Sequence, residues 1–253
     1  MRTIIITGAG SGIGHGVAAC LAGRGYAVVA TDKDESAAAA TAASIRHAGG
    51  AAAAFALDVT DEAAIAGFMT GLGDRPCDIL FNNAGLQHVA PLEEFPQATW
   101  DQLIRVTVNG TCMMTRAVLP RMRATGFGRI VNTGSIHSLV ASKYKTAYVT
   151  AKHAIVGFSK VVALETADTD ITINTICPSY VRTPLVDKQI AAQAASHGIS
   201  EEDVIREIML EPMPKGAFVT FEEIAGTIEF LAGAAARNIT GQTIVMDGGW
   251  SCR

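Results

Sequence analysis

Ser135, Tyr148 and Lys152 are the residues of this chain best equipped for chemistry. Tyr148 and Lys152 stand four apart in Y-V-T-A-K, a spacing that places both side chains on one face of a helix. Positive charge beside a phenol favours the phenolate, so the pair can exchange a proton near neutral pH. Ser135, thirteen residues before Tyr148, follows the apolar run Arg129-Ile-Val-Asn-Thr-Gly134, which reads as a strand entering a turn. A hydroxyl there can hold the oxygen of an alcohol or ketone while the phenol acts as acid or base. That equipment serves hydride transfer with proton transfer. Y-x-x-x-K alone is a common accident of helical sequence, so the elements that position it must supply the rest of the reading.

Thr3-Ile-Ile-Ile-Thr7 predicts a buried parallel strand. Gly8-Ala-Gly-Ser-Gly-Ile-Gly14 follows at once, then a helical pattern through Val17, Ala18, Leu21 and Ala22. Gly8 suits a tight turn, Gly12 lets backbone approach a pyrophosphate, and Gly14 allows close helix–strand packing. The helix start offers unpaired N–H groups to phosphates; Ser11 and Ile13 complete the expected contacts. A merely flexible loop is the alternative, but the strand–loop–helix context favours the phosphate cradle. The next apolar run, 26–31, ends at Asp32, whose carboxylate suits ribose hydroxyls and repels a 2′-phosphate. NAD is therefore expected over NADP, with the adjacent Lys33 as an opposing charge. Asp58 and Val59, after a third strand-like segment (51–57), are expected at the adenine edge. Asn82-Asn-Ala-Gly85 ends a fourth strand (78–81) and adds Asn83, Ala84 and Gly85 to the cofactor set.

Taken together, these motifs resemble the short-chain dehydrogenase/reductase family. The resemblance spans nearly the whole chain: T-G-A-G-S-G-I-G, D-V, N-N-A-G, Ser135, Y-x-x-x-K, Cys177-Pro-Ser-Tyr-Val-Arg-Thr-Pro184 and Met246-Asp-Gly-Gly249. It implies that Tyr148 is the general acid/base and that Ser135 positions the reacting oxygen. It also implies that Lys152 holds the nicotinamide ribose and lowers the Tyr148 pKa, and that Pro178, Val181 and Thr183 join the cofactor site. The family usually carries an Asn in the helix after N-N-A-G; reading forward from Trp100 puts Thr107 there. Asn109 lies two residues on, roughly 200° around an α-helix, so an altered proton relay through Thr107 is expected.

Within the family, the segments 85–91, 135–145, 151–157 and 181–189 are most similar to those of bacterial D-3-hydroxybutyrate dehydrogenases. That similarity implies a carboxylate pocket made by Gln87, His137, Lys145 and Gln189. The chemistry agrees, since a small hydroxy acid needs charge-assisted donors at one end and a base at the other. Taken singly, Lys145 and Gln189 read more readily as solvated surface residues and His137 as a turn histidine; their joint match to one substrate pattern reverses that preference. Ser179-Tyr180 departs from the family's usual Gly-aromatic pair, often Gly-Trp; Tyr180 keeps a flat wall and adds a hydroxyl. Trp250 is expected as a second wall, from this chain or from a neighbouring subunit.

The 253 residues, 49% of them hydrophobic, suit one α/β domain over 1–253. Further strand-like runs at 171–176 and 242–246 bring the total to seven, the pattern of a Rossmann-like, doubly wound parallel sheet. The Ala-rich stretch 37–54 reads as a helix broken at Gly49-Gly50 and leading into a strand. The segment 185–217 interrupts the β–α rhythm and is expected to be a helical substrate lid. A net charge of −4 with no block of basic residues argues against nucleic acid. No apolar run reaches spanning length, and the first strand starts too early for a signal peptide. Five scattered cysteines suit reduced thiols, hence a cytoplasmic protein, and no metal is expected at the reaction centre. The resemblance implies a homotetramer built on 100–123, 148–166 and the C-terminal segment. The leading expectation is NAD-dependent interconversion of D-3-hydroxybutyrate and acetoacetate. Another short hydroxy or keto acid is the runner-up, and a catalytically weak NAD-binding sensor, supported only by Thr107, comes third.

Overall fold

The computed structural model describes residues 1–252, the side chain of Leu185 aside; Arg253 lies outside the described residues. Its strands are β1 (Thr3–Thr7), β2 (Ala27–Asp32), β3 (Ala52–Ala56), β4 (Ile79–Asn82), β5 (Gly128–Thr133), β6 (Ile171–Pro178) and β7 (Thr243–Met246). They form one sheet in the order β3-β2-β1-β4-β5-β6-β7, and every pairing is parallel. The seven expected strands are present, each within two residues of its sequence limits.

Helices cover both faces, as parallel strands require. They are α1 (Gly12–Gly23), α2 (Glu35–His47), α3 (Glu62–Gly71), α4 (Gln97–Ile104), α5 (Gly110–Thr125), α6 (Thr146–Glu165), α7 (Pro184–His197), α8 (Glu201–Val204) and α9 (Phe221–Ala232). The alternation within β1 divides the core. Ile4 and Ile6 pack with Val17, Leu21, Ile224 and Ile228 of α1 and α9 on one face. Ile5 packs with Phe68, Met114, Val118 and Val162 of α3, α5 and α6 on the other. Each fully buried Ile contributes about 1.5–3 kcal/mol, so a one-residue slip of β1 would exchange both cores at once.

Local chemistry fixes the helix starts. Asp34, Asp61 and Thr183 accept backbone N–H bonds at the starts of α2, α3 and α7, and Pro184 occupies the first turn of α7. Thr220 and Glu223 form a reciprocal capping box on α9. α1 differs: Ser11 makes no side-chain cap bond, so its first N–H groups remain free for a ligand.

One finding departs from the expectation of a continuous helix after N-N-A-G. The segment 100–123 is not one α-helix, because a π-helical turn over Arg105–Asn109 separates α4 from α5. The segment 185–217, expected to be a helical lid, carries α7, α8 and a π-turn over Ile205–Met209, and it has a small core of its own in Val186, Ile190, Val204 and Met209. A single bridge, Val181 to Val219, ties the two ends of this excursion together. Among the described residues no helix is long and apolar enough to cross a membrane.

Candidate active site

The chain reverses direction across the sheet between β1 and β4, and ligands of such sheets sit beyond the strand C-termini there. On the β1 side the wall is mostly backbone. Gly8 and Gly12 have φ of 64° and 54°, the left-handed region that favours glycine. A Cβ on Gly14 would lie 2.3 Å from the Gly8 carbonyl oxygen, whereas one on Gly12 would meet only the Thr183 methyl at 3.8 Å. The loop is thus closed behind Gly14 and open above Gly12, a recess next to the free N–H groups of α1 that fits a pyrophosphate. The Asp32 carboxylate accepts N–H bonds from Gly10 (3.0 Å) and Asp34 (3.1 Å), which fixes it beside the loop.

Some expected cofactor residues build the recess through their own chain. The Asn83 amide donates to the carbonyls of Thr7 and Gly8, while the Thr7 hydroxyl accepts from the Asn83 and Ala84 N–H groups. Asn83 therefore ties β4 to β1 and leaves no side-chain donor directed elsewhere. The Asp58 carboxylate is held below the usual range by bonds from the Thr60 hydroxyl and N–H and by the charge of Lys33. The Val59 side chain is buried against the face of Gly110.

On the other side of the crevice, β5 ends at Thr133 and the chain turns through Gly134 into Ser135. Gly134 has no room for a side chain: a Cβ would lie 2.5 Å from the Cys177 sulfur. Ser135 caps the short turn Ile136–Ser138, and the Ser138 hydroxyl donates to the Lys152 carbonyl at 2.9 Å. That bond joins the Ser135 loop to α6, which carries Tyr148 and Lys152. α4 packs against the same end of α6 through Leu103, Ala147 and Ala151.

Electrostatics around the pair differ from the sequence expectation. Burial raises the Tyr148 pKa, opposed by a hydrogen bond from Ser135; the Lys152 charge, 5.6 Å from the ring centre, is not what governs it. Burial in turn brings the Lys152 ammonium down to about 8, and its Nζ donates to the Thr133 carbonyl at 2.6 Å. Low dielectric penalises both charged forms, and the sequence rule of a cation beside a phenol omits that penalty.

One cavity of about 150 Å³ lies over Ser135 and Tyr148. All six expected substrate residues line it: Gln87, His137, Lys145, Tyr180, Gln189 and Trp250. Ile13, Pro178, Val181 and Thr183 of the cofactor set border it as well. Of the remaining cofactor residues only Tyr148 lines the cavity, and a Cβ on Gly85 would lie 3.8 Å from Thr107 Oγ1 and 3.9 Å from Lys152 Nζ. Lys145 donates to His137 Nε2 at 3.3 Å. Burial, with the Lys145 charge second, lowers the His137 pKa to about 4, so the ring is neutral. Burial also lowers Lys145.

Trp250 lines the cavity. It belongs to the same chain as the pocket that it walls, stacking on Tyr180 (6.1 Å between ring centres) and meeting His137 edge-on (6.0 Å). The turn after β7, with Gly248 and Gly249 at positive φ and the Asp247 carboxylate accepting from Gly249 and Ser251, folds it back. Thr107 is 2% exposed and its hydroxyl has no partner, while its carbonyl accepts from Thr111. Asn109 is exposed, so it does not take the place of Thr107.

Sequence reasoning omitted Thr133 and Ser179 from the site, yet both line the cavity. Buried side-chain atoms without a partner include Thr133 Oγ1, His137 Nδ1 and Ser179 Oγ. Their adjacency to the strand ends was the available signal. Among the described residues no cluster of three or more His, Cys, Asp or Glu could hold a metal ion.

Comparison with known proteins agrees with this geometry. The family model for short chain dehydrogenases matches residues 2–194. A D-beta-hydroxybutyrate dehydrogenase of Rhizobium meliloti is 42% identical, covering 100% of this chain and 99% of its own. A second, from Cupriavidus necator, is 44% identical over 98% of this chain and 97% of its own. A solved structure of a protein proposed to be a 2-deoxy-D-gluconate 3-dehydrogenase, from Agrobacterium tumefaciens with bound NADP, superposes with a TM-score of 0.86. That protein is 32% identical, with 100% of this chain and 97% of the other covered. A nicotinamide cofactor suits the family, the open glycine loop and the serine–tyrosine–lysine constellation alike. The chain belongs to the short-chain dehydrogenase family of oxidoreductases.

Proposed function

We propose that this enzyme uses NAD to interconvert D-3-hydroxybutyrate and acetoacetate. The observation that carries the reading is the convergence of Lys145, His137, Gln87 and Gln189 on the cavity that holds Ser135 and Tyr148. A carboxylate at the Lys145 end would meet an ammonium and two amides. The reacting carbon would then lie toward Ser135 and Tyr148. The two hydroxybutyrate dehydrogenases that the chain resembles support the same substrate, and the (D) stereochemistry rests on that likeness.

Bound NAD would supply the hydride acceptor, held by the glycine loop, Asp32 and Lys152. Ser135 would hold the substrate hydroxyl oxygen. Tyr148, as phenolate, would take the hydroxyl proton while the carbon loses hydride and the C=O bond forms; the reverse reaction uses the phenol as acid. Burial raises the pKa of Tyr148 in the free protein, and the cationic nicotinamide ring of NAD would favour the phenolate once bound. Thr107, buried behind Lys152, would serve where the family has Asn. Asp32 favours NAD, because its fixed carboxylate would repel a 2′-phosphate and the Lys33 charge acts on Asp58.

A homotetramer in the cytoplasm belongs to the same reading. α6 exposes Leu164 (80%) and Val161 (56%), apolar side chains that a subunit contact would cover. A second substrate reading has a specific basis: Ser179 and Tyr180 bring two hydroxyls where the family has Gly and often Trp, which suits a more polar short hydroxy acid. Assay of NADH formation from D-3-hydroxybutyrate, its L-enantiomer and a panel of short hydroxy acids, with NADP in parallel, tests both. D-selective, NAD-dependent turnover is the expected result. Preference for NADP, or no turnover of any 3-hydroxy acid, would overturn the reading.

A further inference from the structure

Lys145 reaches His137 from a backbone that turns sharply one residue earlier. Tyr144 has φ 69° and is the one described non-glycine residue at positive φ. Asn and Gly tolerate this region, whereas a bulky side chain there is an outlier held in place by its surroundings. The Tyr144 ring does not repay the strain by burial, since it is 54% exposed and does not line the cavity. Its carbonyl is what is engaged: it accepts the Ala90 N–H at 3.0 Å. Ala90 follows Gln87 in the loop after β4, and Lys145 is the N-cap of α6, with no side-chain cap bond of its own. One backbone hydrogen bond thus joins the two loops that deliver Gln87 and Lys145 to the same cavity.

We propose that Tyr144 is a positioning residue whose left-handed backbone, clamped by the Ala90 N–H, aims Lys145 into the pocket in register with Gln87. The proposal rests on the reading of Lys145 as the carboxylate anchor. Relaxing Tyr144 to negative φ would change the direction in which the chain enters α6 and carry the Lys145 Cβ away from His137. The function of Tyr144 therefore lies in its backbone, not its ring. Residue types that accept positive φ are expected to preserve the pocket, and β-branched types to spoil it.

The test titrates acetate, as the simplest carboxylate, into the NADH complex, with tryptophan fluorescence as readout, alongside NADH affinity and Tm for each variant. Tyr144→Gly and Tyr144→Asn are expected to keep the parent acetate affinity and raise Tm. Tyr144→Val is expected to weaken acetate about tenfold, the scale of a residue's backbone strain, with NADH affinity unchanged. Tyr144→Ala should shift in the same direction by less. Equal losses in the Gly and Val variants would overturn the proposal, because the ring would then matter. So would a Val variant that binds acetate like the parent, or Val and Ala variants that lose NADH together with acetate. An acetate affinity that is unmeasurable in the parent, or untouched by Lys145→Met, overturns it as well. Acetate binding of the expected pattern without turnover of any hydroxy acid would uphold the clamp and sink the proposed substrate, so the two failures are distinguishable.

Discussion

The recess around Gly8–Gly14 and the cavity around Lys145 face the same crevice but are built in opposite ways. The recess is backbone: glycines at positive φ, an uncapped helix and an asparagine that ties two strands together. The cavity is side chain: an ammonium, an imidazole, amides and stacked rings gathered from the loop after β4, the turn after β5, the starts of α6 and α7 and the C-terminal turn. A backbone site is specified by a short local motif and, at Gly14, has no room for an added atom. A side-chain site depends on several distant segments and exchanges residues more freely, which suits a constant cofactor and a variable substrate.

Variants on the two sides should separate cofactor binding from substrate chemistry. The largest effect is expected from Tyr148→Phe, which should lower kcat by about 10³-fold while NADH affinity stays at the parent level. Retention of most of the rate would remove Tyr148 from the mechanism. Lys145→Met comes next: KM for the hydroxy acid should rise about 100-fold with kcat and NAD affinity little changed. If NAD affinity fell with it, the two regions would not be independent. Gly14→Ala attacks the recess, where the new Cβ would meet the Gly8 carbonyl at 2.3 Å. Overpacking of this kind costs about 1–3 kcal/mol, and thermal unfolding with an NADH titration should show both lower Tm and weaker cofactor binding.

The buried, neutral His137 makes the substrate side sensitive to acid. Its folded pKa of about 4 lies below the ordinary 6.5, so between these values the unfolded chain binds more protons. The corresponding stability is complete above pH 6.5 and is lost as pH falls toward 4, by about 2–3 kcal/mol. Urea unfolding from pH 7 to pH 4, compared with His137→Gln, checks this; equal acid sensitivity in the variant would place the loss elsewhere. The smallest effect is expected from Thr107→Asn, a rise in kcat of about two- to threefold at unchanged NADH affinity, within the range of a single relay partner. A fall in rate would mean that the Thr hydroxyl serves better than the amide.

Much of this was legible in the chain. The β-branched runs give the strands and the glycines give the turn, because both follow from local sterics. The Ser135, Tyr148 and Lys152 assignments follow from the positions of these residues relative to those elements. Other features were not legible, for physical reasons. The π-turn at Arg105–Asn109 carries no distinct residue signature. The expected pKa effect on Tyr148 neglected burial, which no spacing reports. Trp250 was left open to a partner subunit because its direction depends on the turn after β7, and Thr133 and Ser179 entered the site only when their strands came side by side.

The sequence by itself determined the parallel sheet, the glycine loop for a nucleotide and the Tyr–Lys pair, since each is set by interactions within a few residues. Only the tertiary structure decided that Gln87, His137, Lys145, Tyr180, Gln189 and Trp250 share one cavity. It also decided that burial, more than the neighbouring ammonium, sets the Tyr148 proton and that Tyr144 holds its strained turn. Those outcomes depend on which distant groups lose water together, and desolvation is a property of the packed chain.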